Sequence, residues 1–407
     1  MASQTKMLLI PCSGEETTQL AENIFLRLKK DYNLEEQVEI LTSKRQTEIP
    51  NGTLKDHRHE LVGDHFPDNE VQVNIGRNQL YDIIRGKHIV LVEHLLTPNR
   101  KVREGSEQIV SVNDHVMTIS GYLDLISNTD ILHTTLVAPY LSYVRSHSIE
   151  KYRKKGFYQF DSLRKTLKNY HKDGLKTMLT IDPHSSKSAQ ISEEIGMDFH
   201  IINPFQSARA INPYKLGISG DKASQIRKRL RPFQERFSQL RKENNKLYVV
   251  AVDEGTENRT ENFVERAYPD LSPEKFYSMI AYFGKDRFSY DDAHAFFKQF
   301  SQQHGKNIDP EGTYIIVDDM AASLRTANRV AKTIKTLGAK RVELWTSHAV
   351  TMPFQYSKAN DRSFIDKVVC LDTVPEDHEL DIEYIKASAD LLSASLYKIH
   401  QKLMAER

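Results

Sequence analysis

The feature that most constrains this chain is a succession of short, continuous apolar runs, each followed by a stretch with helical spacing. Runs of strand length occupy "KMLLIPC" (6–12), "HIVLVEH" (88–94), "TLVAPY" (135–140), "TMLTID" (177–182), "LYVVAVD" (247–253), "YSMIAYF" (277–283), "YIIVDD" (314–319), "VELWTS" (342–347) and "VVCLD" (368–372). A sheet with one wet face alternates apolar and polar residues, whereas runs that are apolar throughout belong to strands covered on both faces, as in parallel sheets. Helices between the runs supply the covers, so the pattern predicts an α/β architecture. Several runs end in Asp, Glu, His or Pro–Tyr. Polar groups at the carboxyl ends of parallel strands are where open α/β sheets hold ligands.

Between the strands, Ser13 and Glu16 have the S-x-x-E spacing of a capping box ahead of Leu20, Ile24 and Leu28. Ala327, Val330, Ala331, Ile334 and Leu337 mark one face of a helix that Gly338 should stop. The charged segment 221–245 reads as a solvated helical face, since its acids are interspersed among its bases. Residues 97–114 read as a lengthened loop. A length of 407 residues suffices for two domains, and the formal net charge of +1 gives no electrostatic case for nucleic acid or an anionic membrane as partner. No apolar run approaches the roughly 18 residues of a membrane span, and "MASQTKMLLIPCSG" lacks the apolar core and cleavage site of a signal peptide. Cys12 and Cys370 sit far apart, in or beside apolar strands, and read as buried free thiols of a reducing compartment. A cytoplasmic enzyme or binding protein is the expectation.

One stretch poses a chemical question. In "YIIVDDMAASLRTANRV" (314–330) an apolar strand ends in Asp318–Asp319, a short loop follows, and a helix begins. Phosphate and sugar loops have this form, but they rely on glycine so that backbone N–H groups can approach the phosphate. Leu324 and Arg325 stand here instead.

Taken in order, further stretches resemble the ribose-phosphate diphosphokinases (phosphoribosyl pyrophosphate synthetases) over nearly the whole chain. "FPDNEVQVNI" (66–75) is similar to that family's F-x-D-G-E segment, "APYLSYVRSHS" (138–148) to P-Y-x-x-Y-A-R-Q-D, "LTIDPHSS" (179–186) to T-V-D-L-H, and "VDEGTENR" (252–259) to P-D-x-G-G-x-x-R. "GKDR" (284–287) resembles the K-x-R of its flexible loop, "VDDMAASLRT" (317–326) its ribose-phosphate loop, and "CLDTVP" (370–375) the segment before its terminal helix. The resemblance implies two tandem phosphoribosyltransferase-type (type I) domains, each a mainly parallel sheet flanked by helices. They would span 1–203 and 204–385, with a terminal helix over 386–407 packing back on the first. It also implies a homodimer or larger homo-oligomer.

The same resemblance implies a Mg-ATP-dependent transfer of diphosphate, releasing AMP. Lys285 and Arg287 would be catalytic, closing over the transferring phosphates. Arg145, His147, Phe66, Asp68 and Glu70 would bind ATP, and His184 and Asp253 would hold Mg2+. Asp318, Asp319, Ser323, Arg325 and Thr326 would bind the acceptor. Departures from the family pattern gather on the sugar side. D-x-G-G becomes Asp253-Glu254-Gly255-Thr256, T-G-G-T becomes Ser323-Leu324-Arg325-Thr326, and Ala322 replaces an aspartate. Ser146–His147 stand for Gln–Asp, and Asn69 for glycine. Leu324 and Arg325 would fill the enclosure for a terminal phosphate. The acceptor is therefore expected to be ribose 5-phosphate or, with its 5′-phosphate further substituted, ADP-ribose, giving a 1-diphosphate suited to NAD synthesis. The alternatives are a catalytically inactive regulatory subunit of such synthetases and a phosphoribosyltransferase.

Overall fold

A computed structural model of the chain describes residues 6–41, 62–65, 68–74, 83–102, 107–147, 149–206, 212–244, 246–252, 254–283, 308–322, 324–350, 364–377 and 381–406. The chain divides into two compact units, Met1–Ile202 with Ser388–Arg407, and Asn203–Ala387. In the first unit lie β1 (Met7–Pro11), β2 (Val38–Ile40), β3 (Val62–His65), β4 (Val71–Asn74), β5 (His88–Val92), β6 (His133–Ala138), β7 (Thr177–Ile181) and β8 (Asp198–Ile202). Six of these form one sheet in the order β2-β1-β5-β6-β7-β8, while β3 and β4 pair as a separate antiparallel hairpin. The second unit holds β9 (Leu247–Ala251), β10 (Ile280–Tyr282), β11 (Thr313–Ala321), β12 (Arg341–Ala349), β13 (Lys367–Leu371) and β14 (Ile382–Ile385), ordered β10-β9-β11-β12-β13-β14. Every neighbouring pair within the two large sheets is parallel.

The two sheets share register as well as strand order. Met7 pairs with His88 and His88 with His133 in one; Leu247 pairs with Thr313 and Thr313 with Arg341 in the other. Two residues further along the fourth strand, Thr135 meets Thr177 and Glu343 meets Lys367. The helix after the first strand starts at Gly14 in one unit and Glu254 in the other, three residues past Pro11 and Ala251 respectively. This common frame assigns each unit's residues a counterpart in the other. Glu93–His94 stand where Asp318–Asp319 stand.

The central strands are buried along their whole lengths, as their apolar runs predict. In the second unit Trp345 is fully buried against Phe233, Phe237 and Phe263, with ring centroids 6.0–6.2 Å away. The charged segment folds as two helices, Gly220–Arg229 and Pro232–Glu243; Phe233, Phe237 and Leu240 of the second face the interior. In the lengthened loop, Lys101 bridges to Ile109, and a capping box at Ser111 and Asp114 opens the helix Val112–Ser127. Both cysteines are free and buried. No helix among the described residues is long and apolar enough to cross a membrane.

Local expectations are corrected at three places. The capping box at Ser13 and Glu16 does not form, because Ser13 Oγ donates instead to the buried Glu93 carboxylate. A charged acceptor outcompetes a backbone N–H that has other partners in reach. Most of "YSMIAYF" lies outside a strand: the helix Pro273–Ser278 takes its start and β10 only Ile280–Tyr282. The strands β2, β8 and β14, three of the four sheet edges, carry no continuous apolar run and are missed by that signal. All of β14 is half-exposed.

Candidate active site

In each large sheet the strand order reverses between the first and third strands, and the crevice at the carboxyl ends there is the favoured ligand position. In the second unit this point lies between β9 and β11. β9 pairs with β11 only over Thr313–Ile316, so Asp318 and Asp319 stand on the part of β11 that outruns it. Asp319 N donates to Asp318 Oδ1 at 2.9 Å, and Asp319 is buried. Removal from water and the neighbouring Asp319 push the Asp318 carboxyl up to about 8, against the opposing pull of the Arg259 guanidinium. Arg259 itself sits 5.5 Å above the centroid of Phe205. Two adjacent carboxylates at such a point suit a ligand that donates paired hydroxyls, as a ribose does.

The loop after β11 differs from the sequence expectation. Leu324 precedes the helix Arg325–Thr336 with φ +56°, the left-handed backbone that glycine favours. Its side chain is 7% exposed and belongs to the core cluster with Val250, Val252, Phe283 and Ala327. Leu324 therefore keeps a glycine's conformation and turns inward rather than filling a phosphate enclosure; apolar burial offsets the backbone cost. Arg325 and Thr326 are exposed in the first helical turn. Ser323 lies outside the described residues.

In the first unit, Arg145 is exposed in the 3₁₀ turn Val144–His147, which His147 ends. Two residues before Arg145, Tyr143 holds φ +61° and its hydroxyl donates to Asn113 Oδ1. Just past the end of β7, Asp182 holds φ +40° two residues before the exposed His184. In the turn of the β3–β4 hairpin, Asp68 and Glu70 are exposed, Glu70 N donates to Asp68 Oδ1 at 3.3 Å, and Asn69 has φ +71°. Asparagine tolerates this left-handed backbone, which glycine otherwise favours. Lys285, Arg287, Phe66 and Asp253 lie outside the described residues. Among the described residues no group of three or more His, Cys, Asp or Glu side chains gathers as a metal cage. Magnesium uses one or two protein carboxylates and takes its remaining ligands from phosphates and water, so it needs no such cage.

Sequence reasoning missed the counterpart of Asp318 in the first unit. Glu93 is fully buried and receives Ser13 Oγ at 2.5 Å, while His115 Nδ1 lies 2.7 Å from the same oxygen. His115 Nε2 in turn meets Thr97 Oγ1 at 2.8 Å. This carboxylate is closed off by protein, whereas the Asp318–Asp319 stretch extends past its neighbour strand. The sequence signal was present, as the run "HIVLVEH" ends in Glu93–His94. The second unit is accordingly the candidate for acceptor binding.

No protein-family model matches the chain. It is 23% identical over 344 residues to a ribose-phosphate pyrophosphokinase of Prochlorococcus marinus subsp. pastoris, covering 84% of this chain and 83% of that protein. A second Prochlorococcus marinus ribose-phosphate pyrophosphokinase is 29% identical over 92 residues, 22% of this chain and 28% of the relative. Among solved structures, the phosphoribosylpyrophosphate synthetase of Mycobacterium smegmatis aligns with a TM-score of 0.62 and 13% identity, covering 98% of this chain and 100% of that one. The fold is shared: two six-stranded parallel sheets flanked by helices.

Proposed function

We propose that the chain is a Mg-ATP-dependent diphosphokinase acting on the C1 hydroxyl of a ribose that carries a 5′-phosphate group. The acceptor oxygen attacks the β-phosphorus of ATP, the bond from the α,β-bridging oxygen to that phosphorus breaks, and AMP leaves with that oxygen. The hydroxyl proton passes to solvent or a neighbouring base. The observation that carries the reading is the Asp318–Asp319 pair on β11 beyond its pairing with β9. Support comes from the similarity to two proteins named ribose-phosphate pyrophosphokinase, one across most of its length.

Each residue has a stated part. Asp318 and Asp319 accept hydrogen bonds from the ribose hydroxyls and fix C1 for in-line attack, which is where such reactions gain most. Arg145 grips ATP phosphate with its planar fork, and the hairpin residues Phe66, Asp68 and Glu70 with His147 complete the nucleotide side. Lys285 and Arg287 meet charge that develops in the transition state. His184 and Asp253 hold Mg2+, whose chemistry is neutralisation of phosphate charge. The protein works as a cytoplasmic homo-oligomer.

Two acceptors fit. Ribose 5-phosphate suits a loop whose backbone keeps the left-handed turn at Leu324. ADP-ribose is favoured by Arg325, exposed in the first turn of its helix, where a fork-shaped cation reaches a diphosphate from the side. Incubation with Mg-ATP and either acceptor, with AMP followed by chromatography, tests the reading. AMP formed only with acceptor present is the expected result, and the faster acceptor identifies the substrate. Silence with both would shift the assignment to a regulatory subunit.

A further inference from the structure

Five non-glycine residues hold a positive φ among the described residues: Asn33, Asn69, Tyr143, Asp182 and Leu324. Asparagine tolerates this backbone through its short polar side chain; for Tyr143 and Leu324 it is costly, and for Asp182 it becomes so because a proline follows, which favours extended backbone at the residue before it. All three follow or close the carboxyl-end segments of strands, after β6, β7 and β11. Each also stands one or two places before a residue assigned above to a ligand: Arg145, His184 and Arg325. Strain of this kind persists only where the surroundings enforce it, and it concentrates at functional sites.

Tyr143 and Asp182 belong to one unit and to neighbouring strands, so their turns open side by side. Tyr143 is flanked by the buried Ser142 and Val144, and its hydroxyl is tied to Asn113 on the helix Val112–Ser127. Asp182 is buried, its N–H donates to Ile202 O at 2.8 Å on β8, and Pro183 disfavours helical backbone at Asp182 itself, so the turn is held against a local preference. Each turn is therefore fixed from outside its own loop. We infer that Tyr143 and Asp182 are paired positioning residues, whose enforced left-handed turns hold Arg145 and His184 ready for one magnesium–nucleoside triphosphate. The inference rests on the functional reading above. It adds that the nucleotide side is organised before the ligand arrives.

The consequence is quantitative. Valine cannot take the left-handed turn without strain, so Tyr143→Val or Asp182→Val populates the competent arrangement about tenfold less and weakens the apparent affinity for Mg-ATP by the same factor. Asp182→Asn, which tolerates the turn, recovers most of what Asp182→Val loses. Tyr143→Phe, which removes the hydroxyl's tie to Asn113, weakens binding about threefold.

The test is equilibrium dialysis of Mg-ATP against the full-length wild type and these variants, with melting curves run alongside. A merely structural role would lower melting temperatures and leave the affinity of the folded fraction unchanged. Folded valine variants that bind Mg-ATP like wild type would overturn the inference while wild-type binding leaves the functional reading standing. Should the valine variants not fold, an unchanged affinity in Tyr143→Phe overturns the inference instead. A wild-type chain that binds no Mg-ATP overturns the functional reading, and the inference falls with it.

Discussion

Replacing Leu324 by glycine and by alanine separates two forces that meet at one residue. The side chain is 7% exposed within the core of the second unit, so deleting it loses transfer free energy and leaves a cavity, together about 2–5 kcal/mol. The backbone at φ +56° costs a non-glycine residue about 1–2 kcal/mol, which glycine returns and alanine does not. Leu324→Gly is therefore less stable than wild type by about 0–4 kcal/mol, and Leu324→Ala is less stable still by about 1–2 kcal/mol. For a unit of this size each kcal/mol moves the melting temperature by about 2–4 °C. Differential scanning calorimetry then gives the order wild type, glycine, alanine. Ordinarily alanine is the more stable of the two small residues, because glycine has more backbone freedom to lose. Equal melting of the two variants would refute the strain argument, and a glycine variant more stable than wild type would refute the core placement of Leu324.

Asp319→Asn raises stability at neutral and higher pH and removes acceptor binding. Because the folded pair holds a proton that the unfolded chain releases above about pH 4, wild-type stability from this pair falls as pH rises toward about 8. The variant's melting temperature should match wild type near pH 4 and exceed it at pH 8; a constant difference would contradict the assignment. At the other end of the first sheet, His88 Nδ1 lies 3.2 Å from His400 Nδ1 and His88 Nε2 lies 2.8 Å from Thr135 Oγ1. Burial holds both imidazoles below their ordinary range, His400 down to about 4. Stability should accordingly fall as pH drops from about 6.5 toward 4, and His400→Gln should flatten that loss in acid melting curves. Lys285→Ala should lower turnover at least about a hundredfold with ATP affinity nearly kept, as for a contact made in the transition state; near-normal turnover in a steady-state assay would remove it from the site.

Much of this molecule is legible in its residues, and the exceptions have physical causes. The buried strands announce themselves because a strand covered on both faces must be apolar throughout. The edge strands β8 and β14 are largely half-exposed or exposed, and β2 is only three residues long with Glu39 at its centre, so none of them presents a continuous apolar run. Asp318 and Asp319 are visible because carboxylates closing an apolar strand are costly unless used. Backbone conformation is another matter. The absence of glycine at 69 and 324 suggests turns reshaped, yet Asn69 and Leu324 hold the same left-handed backbone, one by tolerance and the other through burial. Tyr143 could not be read at all, since nothing in a tyrosine marks a positive φ, and at Asp182 the following Pro183 argues for extended backbone instead. Ser13 illustrates a further limit: its spacing to Glu16 is that of a cap, but a carboxylate 80 positions away takes its proton donor.

The most direct test of the proposed chemistry is the identity of the products from Mg-ATP and a ribosyl acceptor, followed by phosphorus NMR and chromatography together. The account predicts AMP and the acceptor's 1-diphosphate in equal amounts, with no free diphosphate accumulating ahead of them. ADP as the nucleotide product would mean transfer of the terminal phosphoryl group alone, and would contradict the assignment of the site as a diphosphokinase.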